Sequence, residues 1–124
     1  MKKISFSWTA AVGGGATVQG TQAIYGALYA VEYRPGDTAT GATVTLTCVG
    51  DATKALLTKA NAGTANVFFY PRDLLQGLDG SDLTGSAGGD RGLPLLAGRP
   101  KVVIASGGNA KSGSIVLYYE DVNA

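Results

Sequence analysis

Residues 101–120 constrain the fold of this chain more than any other stretch. Lys101-Val-Val-Ile-Ala-Ser106 is an apolar, β-branched run, Gly107-Gly-Asn-Ala-Lys-Ser-Gly113 has turn chemistry, and Ser114-Ile-Val-Leu-Tyr-Tyr-Glu120 returns with alternating faces. Branched and aromatic side chains suit a pleated surface, and glycine supplies the backbone angles that a chain reversal needs. The pattern predicts two strands joined as a β-hairpin.

Other segments repeat the theme. Ile4, Phe6 and Trp8 alternate with Ser5, Ser7 and Thr9, which places three large side chains on one face of a strand. Residues 24–33 read as a strand with Tyr25, Ala27, Tyr29, Val31 and Tyr33 on one face and Gly26, Leu28, Ala30 and Glu32 on the other. A helix over 21–33 is the rival, opposed by Gly26 in mid-run and by Arg34-Pro-Gly-Asp37. Val44, Leu46 and Cys48 alternate with threonines, and Asn66-Val-Phe-Phe-Tyr70 is a strand stopped by Pro71, whereas 14–23 carries no clear pattern. Arg72–Gly77 has the composition of one helical turn, within a long loop at about 72–100 that is rich in glycine, serine and aspartate. About six or seven strands separated by turn clusters predict an all-β fold: an antiparallel β-sandwich, jelly-roll or immunoglobulin-like, or a small barrel, with one long loop.

The 124 residues match a single domain, 1–124, large enough to bury a core without staples. Glycine is in excess, with 19 residues where about 9 are usual, so many tight turns are implied. A charged fraction of 15% is low against the usual quarter or so for a soluble domain, and points to surface covered by another subunit. Ten basic and nine acidic residues leave a net charge of +1, with no basic stripe for nucleic acid. Met1-Lys2-Lys3 imitates the start of a secretion signal, but Ser5, Ser7 and Thr9 break the apolar run at period two. We read it as a first strand, and expect no membrane span and folding in a cytoplasm. The single Cys48 excludes an intramolecular disulfide and reads as a buried core residue.

Catalytic chemistry finds few carriers. The chain has no histidine and one cysteine, so histidine-dependent triads and nitrogen- or sulfur-rich zinc sites are excluded. Asp73, Asp79, Asp82 and Asp90 lack the spacing of a calcium loop. Gly108–Ser114 brushes against a phosphate-binding loop, but its Lys-Ser pair precedes the second glycine and a strand follows, not a helix. We expect no enzyme activity, no cofactor and no metal. Tyr118 and Tyr119 are adjacent on a strand and so face opposite sides, one toward the core and one toward the surface or a neighbour. Tyr119, with Arg72, Leu74, Leu75, Arg91 and Arg99 in or beside the long loop, forms the set of candidate interface residues. A tyrosine row of Tyr25, Tyr29 and Tyr33 would suit a glycan, which makes a carbohydrate-binding module the alternative function.

Four blocks carry a likeness: Tyr25–Gly36, Gly41–Thr47, Asn66–Arg72 ending Tyr-Pro-Arg, and Pro100–Ile115. In this order, within residues 24–120, the chain resembles small structural proteins encoded among the head and neck genes of tailed bacteriophages. The resemblance implies a non-enzymatic β-sandwich subunit present in many copies in the virion, made in the host bacterial cytoplasm. Its expected partners are phage capsid or head–tail proteins and further copies of itself, with no nucleic acid and no membrane. Capsid decoration and a head-proximal neck position are both compatible with it.

Overall fold

The computed structural model describes residues 2–49, 54–74 and 91–121. These form ten β-strands: β1 (Lys2–Thr9), β2 (Ala16–Gln19), β3 (Ile24–Arg34), β4 (Thr43–Val49), β5 (Lys54–Lys59), β6 (Val67–Phe69), β7 (Asp73–Leu74), β8 (Arg91–Gly92), β9 (Leu95–Ala105) and β10 (Ser112–Asp121). Eight of them make one antiparallel system in the order β1-β10-β3-β9-β4-β5, with β2 added beside β9 and β6 beside β3, while β7 and β8 pair separately. No helix among the described residues is long and apolar enough to cross a membrane.

The strands form where side chains alternate. Phe6 and Trp8 are buried and Ser5, Ser7 and Thr9 exposed; Val44, Leu46 and Cys48 are buried between half-buried threonines. Each such large apolar side chain contributes roughly 1.5–3 kcal/mol by leaving water. Two layers share the resulting core. Phe6, Trp8, Leu28, Val31, Tyr33, Ile115 and Leu117 come from β1, β3 and β10, and meet Val44, Leu46, Leu56, Val102 and Ile104 from β4, β5 and β9. This is the all-β antiparallel architecture that the sequence predicts, folded as a sandwich or small barrel.

β9 joins the layers. Its first residues, Leu95–Gly98, pair with Ala27–Ile24 of β3. Its remainder pairs with β4 on one side and with β2 on the other. Gly98, at the change of partner, has φ +124°, a conformation that side chains with a Cβ rarely adopt. Pro100 is buried inside the strand. Its carbonyl accepts from the Gly20 amide at 2.8 Å, just past the end of β2, so the N–H that proline lacks falls where that ladder stops.

This arrangement corrects the expected hairpin. Residues 101–106 and 114–120 are both strand, but β9 and β10 do not pair with each other; β10 lies between β1 and β3. The intervening segment crosses from one layer to the other and is clasped there. The Gly107 amide donates to the Gly14 carbonyl at 2.8 Å, and the Gly107 carbonyl accepts from the Ala39 amide at 2.9 Å. Gly14, at φ +85°, could not carry a Cβ without meeting the Gly107 nitrogen at 2.9 Å. The patternless 14–23 segment contains β2. Of the expected helical turn at 72–77, Asp73 and Leu74 are strand, paired with Gly92 and Arg91, and the long loop ends earlier than expected because β9 begins at Leu95. Residues 75–90, which hold Leu75 and the acidic candidates Asp79, Asp82 and Asp90, lie outside the described residues.

Candidate docking face

The strand reading of 24–33 is right, but its facing is not. Tyr118 pairs with Ala30 and Tyr119 with Leu28, so Tyr29 is an extra residue in β3, a β-bulge. An extra residue exchanges the two faces of everything beyond it. Ile24 and Leu28 therefore point into the core before the bulge, and Val31 and Tyr33 after it. The expected row of Tyr25, Tyr29 and Tyr33 is broken: Tyr33 is wholly buried and stacked on Trp8, with ring centroids 6.0 Å apart.

What the bulge turns outward instead is Glu32. This residue, Arg34, Val116 and Tyr118 lie on the outer face of the layer, because β10 opposes Val116 to Glu32 and β6 opposes Phe68 to the same residue. Arg34 Nη2 donates to Glu32 Oε1 at 2.8 Å, and the Tyr118 hydroxyl donates to the same oxygen at 3.2 Å. The Arg34 hydrogen bond holds the Glu32 carboxyl below its ordinary range, against the opposing effect of burial. Partial burial pushes the Tyr118 phenol up, and the bond to Glu32 adds to the shift.

Three rings gather beside Glu32, while the Arg34 side chain stays half exposed. Phe68 lies 5.9 Å from Tyr118 and 6.3 Å from Tyr70, centroid to centroid, the latter pair nearly parallel at 16°. On the same face Val116 and Ala30 are buried although they face away from the core. The outer rings meet water: Phe68 is 46% exposed and Tyr70 63%. Leu95, 61% exposed, opposes Ala27 farther along the same side of β3. Of these, Phe68 and Tyr70 are in ring contact, and an exposed aromatic pair of this kind makes the face a candidate contact site.

The sequence-derived interface candidates are scattered. Arg72 is exposed and donates through Nη1 to the carbonyls of Tyr29, at 3.1 Å, and Pro71, which ties the segment after β6 to the bulge. The backbones of Leu74 and Arg91 pair in the β7–β8 ribbon. Arg99 lies in the other layer, opposite Val49; with the Gln19 amide oxygen turned toward it, Nε and Nη2 donate at 3.3 and 3.2 Å. Tyr119 is 8% exposed and belongs to the core, so Tyr118 takes the outward place of the pair. Cys48 is buried as expected, and burial raises its thiol pKa. Among the described residues no three His, Cys, Asp or Glu side chains gather as a metal site would require. The sequence reads as a strand over Asn66–Tyr70 without singling out Phe68 and Tyr70, whose two-residue spacing before Pro71 is the available signal. Their meeting with Tyr118 and Glu32 depends on β6 pairing with β3, which no local pattern encodes.

No protein-family model matches the chain, and no curated protein matches it in sequence. Among solved structures it is similar to that of PirA, at 15% identity over 94% of this chain and 93% of the other, with a TM-score of 0.43. An exo-β-1,3-galactanase from Phanerochaete chrysosporium, solved with galactose, is 12% identical over 94% of this chain and 27% of its own, with a TM-score of 0.35. Infectious bursal disease virus, Gt strain, gives 17% identity over 100% of this chain and 35% of the viral one, with a TM-score of 0.28. The chain thus spans about a quarter to a third of the latter two, and likenesses this loose carry no functional argument.

Proposed function

We propose that this protein is a non-enzymatic structural subunit of a tailed-phage virion, docking onto neighbouring subunits as a capsid decoration or head-proximal neck component. The observation that carries the docking role is the outer face of β3, β6 and β10, where Phe68, Tyr70 and Tyr118 form an aromatic cluster joined through Tyr118 to the Glu32–Arg34 pair. The low charged fraction supports it, and the four sequence blocks that resemble phage head and neck proteins supply the virion setting. Mass spectrometry of purified particles, followed by cryo-electron microscopy, tests the reading. Many copies on the capsid lattice would make the protein a decoration subunit, and a ring at the portal vertex a neck component; absence from particles would refute the proposal. Within particles, replacing both Phe68 and Tyr70 with serine is expected to lower occupancy while leaving the domain folded, since both side chains are largely outside the core.

A carbohydrate-binding module is the second reading, favoured by the two nearly parallel rings beside a carboxylate and a guanidinium. A glycan array probed with the purified protein separates the two. A specific binder lost on Tyr70→Ala would favour the module.

A further inference from the structure

The edges of this fold are not equally protected. An open strand edge is a template for another strand, and proteins blunt such edges with lysines, bulges or covering segments. β1 begins with Lys2 and Lys3, and lies close to β2. β5 carries Lys54 and Lys59 at its two ends and is bulged at Leu56, which has no partner between the pairs Leu46–Leu57 and Thr47–Ala55. The two-residue strands β7 and β8 hold Asp73 and Arg91. β6 differs: Val67, Phe68 and Phe69 are uncharged, Asn66 and Tyr70 flank them, and no described strand pairs with the side facing away from β3.

We propose that β6 is a homotypic interface, through which two copies of this chain pair antiparallel about a two-fold axis and merge their sheets. Side-chain periodicity limits the register. A two-fold perpendicular to the sheet keeps core faces aligned, so each residue must oppose one of the same facing, and the axis must pass through a residue. Pro71 has no N–H to give and ends the ladder on one side. Centring on Phe68, the middle of the strand, opposes Phe68 to Phe68 of the second copy, Val67 to Phe69, and Asn66 to Tyr70. Every pair is then chemically compatible. Val67 and Phe69, only partly buried against the core, complete their burial against each other, and the exposed Phe68 and Tyr70 rings of both copies join into one strip. The choice of a second copy over another strand rests on this self-complementarity.

The inference rests on the reading of the chain as a docking subunit, yet its test needs no particle. Sedimentation velocity over roughly a thousandfold range of concentration should show a monomer–dimer equilibrium. Phe68→Lys, which sets like charges opposite each other at the axis, should shift the midpoint at least about tenfold toward monomer. Phe68→Cys gives an independent readout, because opposed Cβ atoms about 4.5–5.5 Å apart are close enough to bridge with small adjustment. Mild oxidation should yield a covalent dimer with Phe68→Cys and none with Val12→Cys, a substitution at an 83% exposed site away from β6. A wild-type protein that stays monomeric throughout, or a Phe68→Cys variant that fails to crosslink, overturns the proposal. A monomer incorporated into particles would sink the edge pairing alone, and a dimer absent from particles would sink the virion reading alone.

Discussion

Tyr33 Oη is buried and has no hydrogen-bond partner among the described residues, although the ring around it stacks well on Trp8. An unpaired buried hydroxyl costs about 1–3 kcal/mol in lost hydration. Tyr33→Phe keeps the ring and removes the orphan, so chemical denaturation should show stability unchanged or raised by up to that amount; a clear loss would mean that the hydroxyl is satisfied. Trp8 is the contrasting case, since its indole N–H donates to the buried Thr38 hydroxyl at 3.2 Å. Glu32 yields a pH prediction. Its folded pKa is depressed, so its contribution to stability is present above the ordinary carboxyl value of about 4.5 and disappears as pH falls through the lower folded value. The stability difference between wild type and Glu32→Gln should therefore shrink on acidification below about pH 4.5, and a carbon-detected NMR titration of Glu32 should place its midpoint below that of an exposed glutamate. A difference independent of pH would remove Glu32 as the source.

The strands that alternate cleanly were legible because facing is local. Ile4, Phe6 and Trp8 announce β1, and Val44, Leu46 and Cys48 announce β4, with the core side correctly placed. Pairing is not local, which is why residues 101–120 read as a hairpin when their strands lie in different layers. The glycines at 107 and 108 suggested a tight turn and serve instead in a crossing clasped by Gly14 and Ala39. The tyrosine row failed for a related reason: a bulge is a property of two strands in register, and nothing in Leu28-Tyr-Ala30 marks it. The site suffered most, since Phe68, Tyr118 and Glu32 meet only through the β6–β3–β10 order. β9 offers the test at this scale. Gly98, at φ +124°, sits where the strand leaves β3 for β4 and β2. Gly98→Ala should cost about 1–3 kcal/mol, the range for a side chain held in a sparsely populated backbone region. Ala97→Gly, one residue away and outside that conformation, should cost less; equal losses would remove the conformational explanation.

Because β9 belongs to both layers, the two are expected to open together. Opening the β3 side exposes Leu96, and opening the β4 side exposes Val102 and Ile104, all within one strand and one core. The closing ladder reinforces this, since β1 pairs with β10 from Lys2–Tyr119 to Thr9–Ser112 and brings distant parts of the chain together. Native-state hydrogen exchange reads the coupling directly, as amides that open only by global unfolding share one free energy. Interior amides of β3 and β10 in one layer and β4 and β9 in the other should exchange at a common level and shift together when Leu46→Ala weakens the core. The edge strand β5, which has one pairing neighbour among the described strands, should exchange faster. Two separate levels, with β3 and β10 unmoved by Leu46→Ala, would show that the layers unfold independently and that β9 is a tether between them, not a shared element.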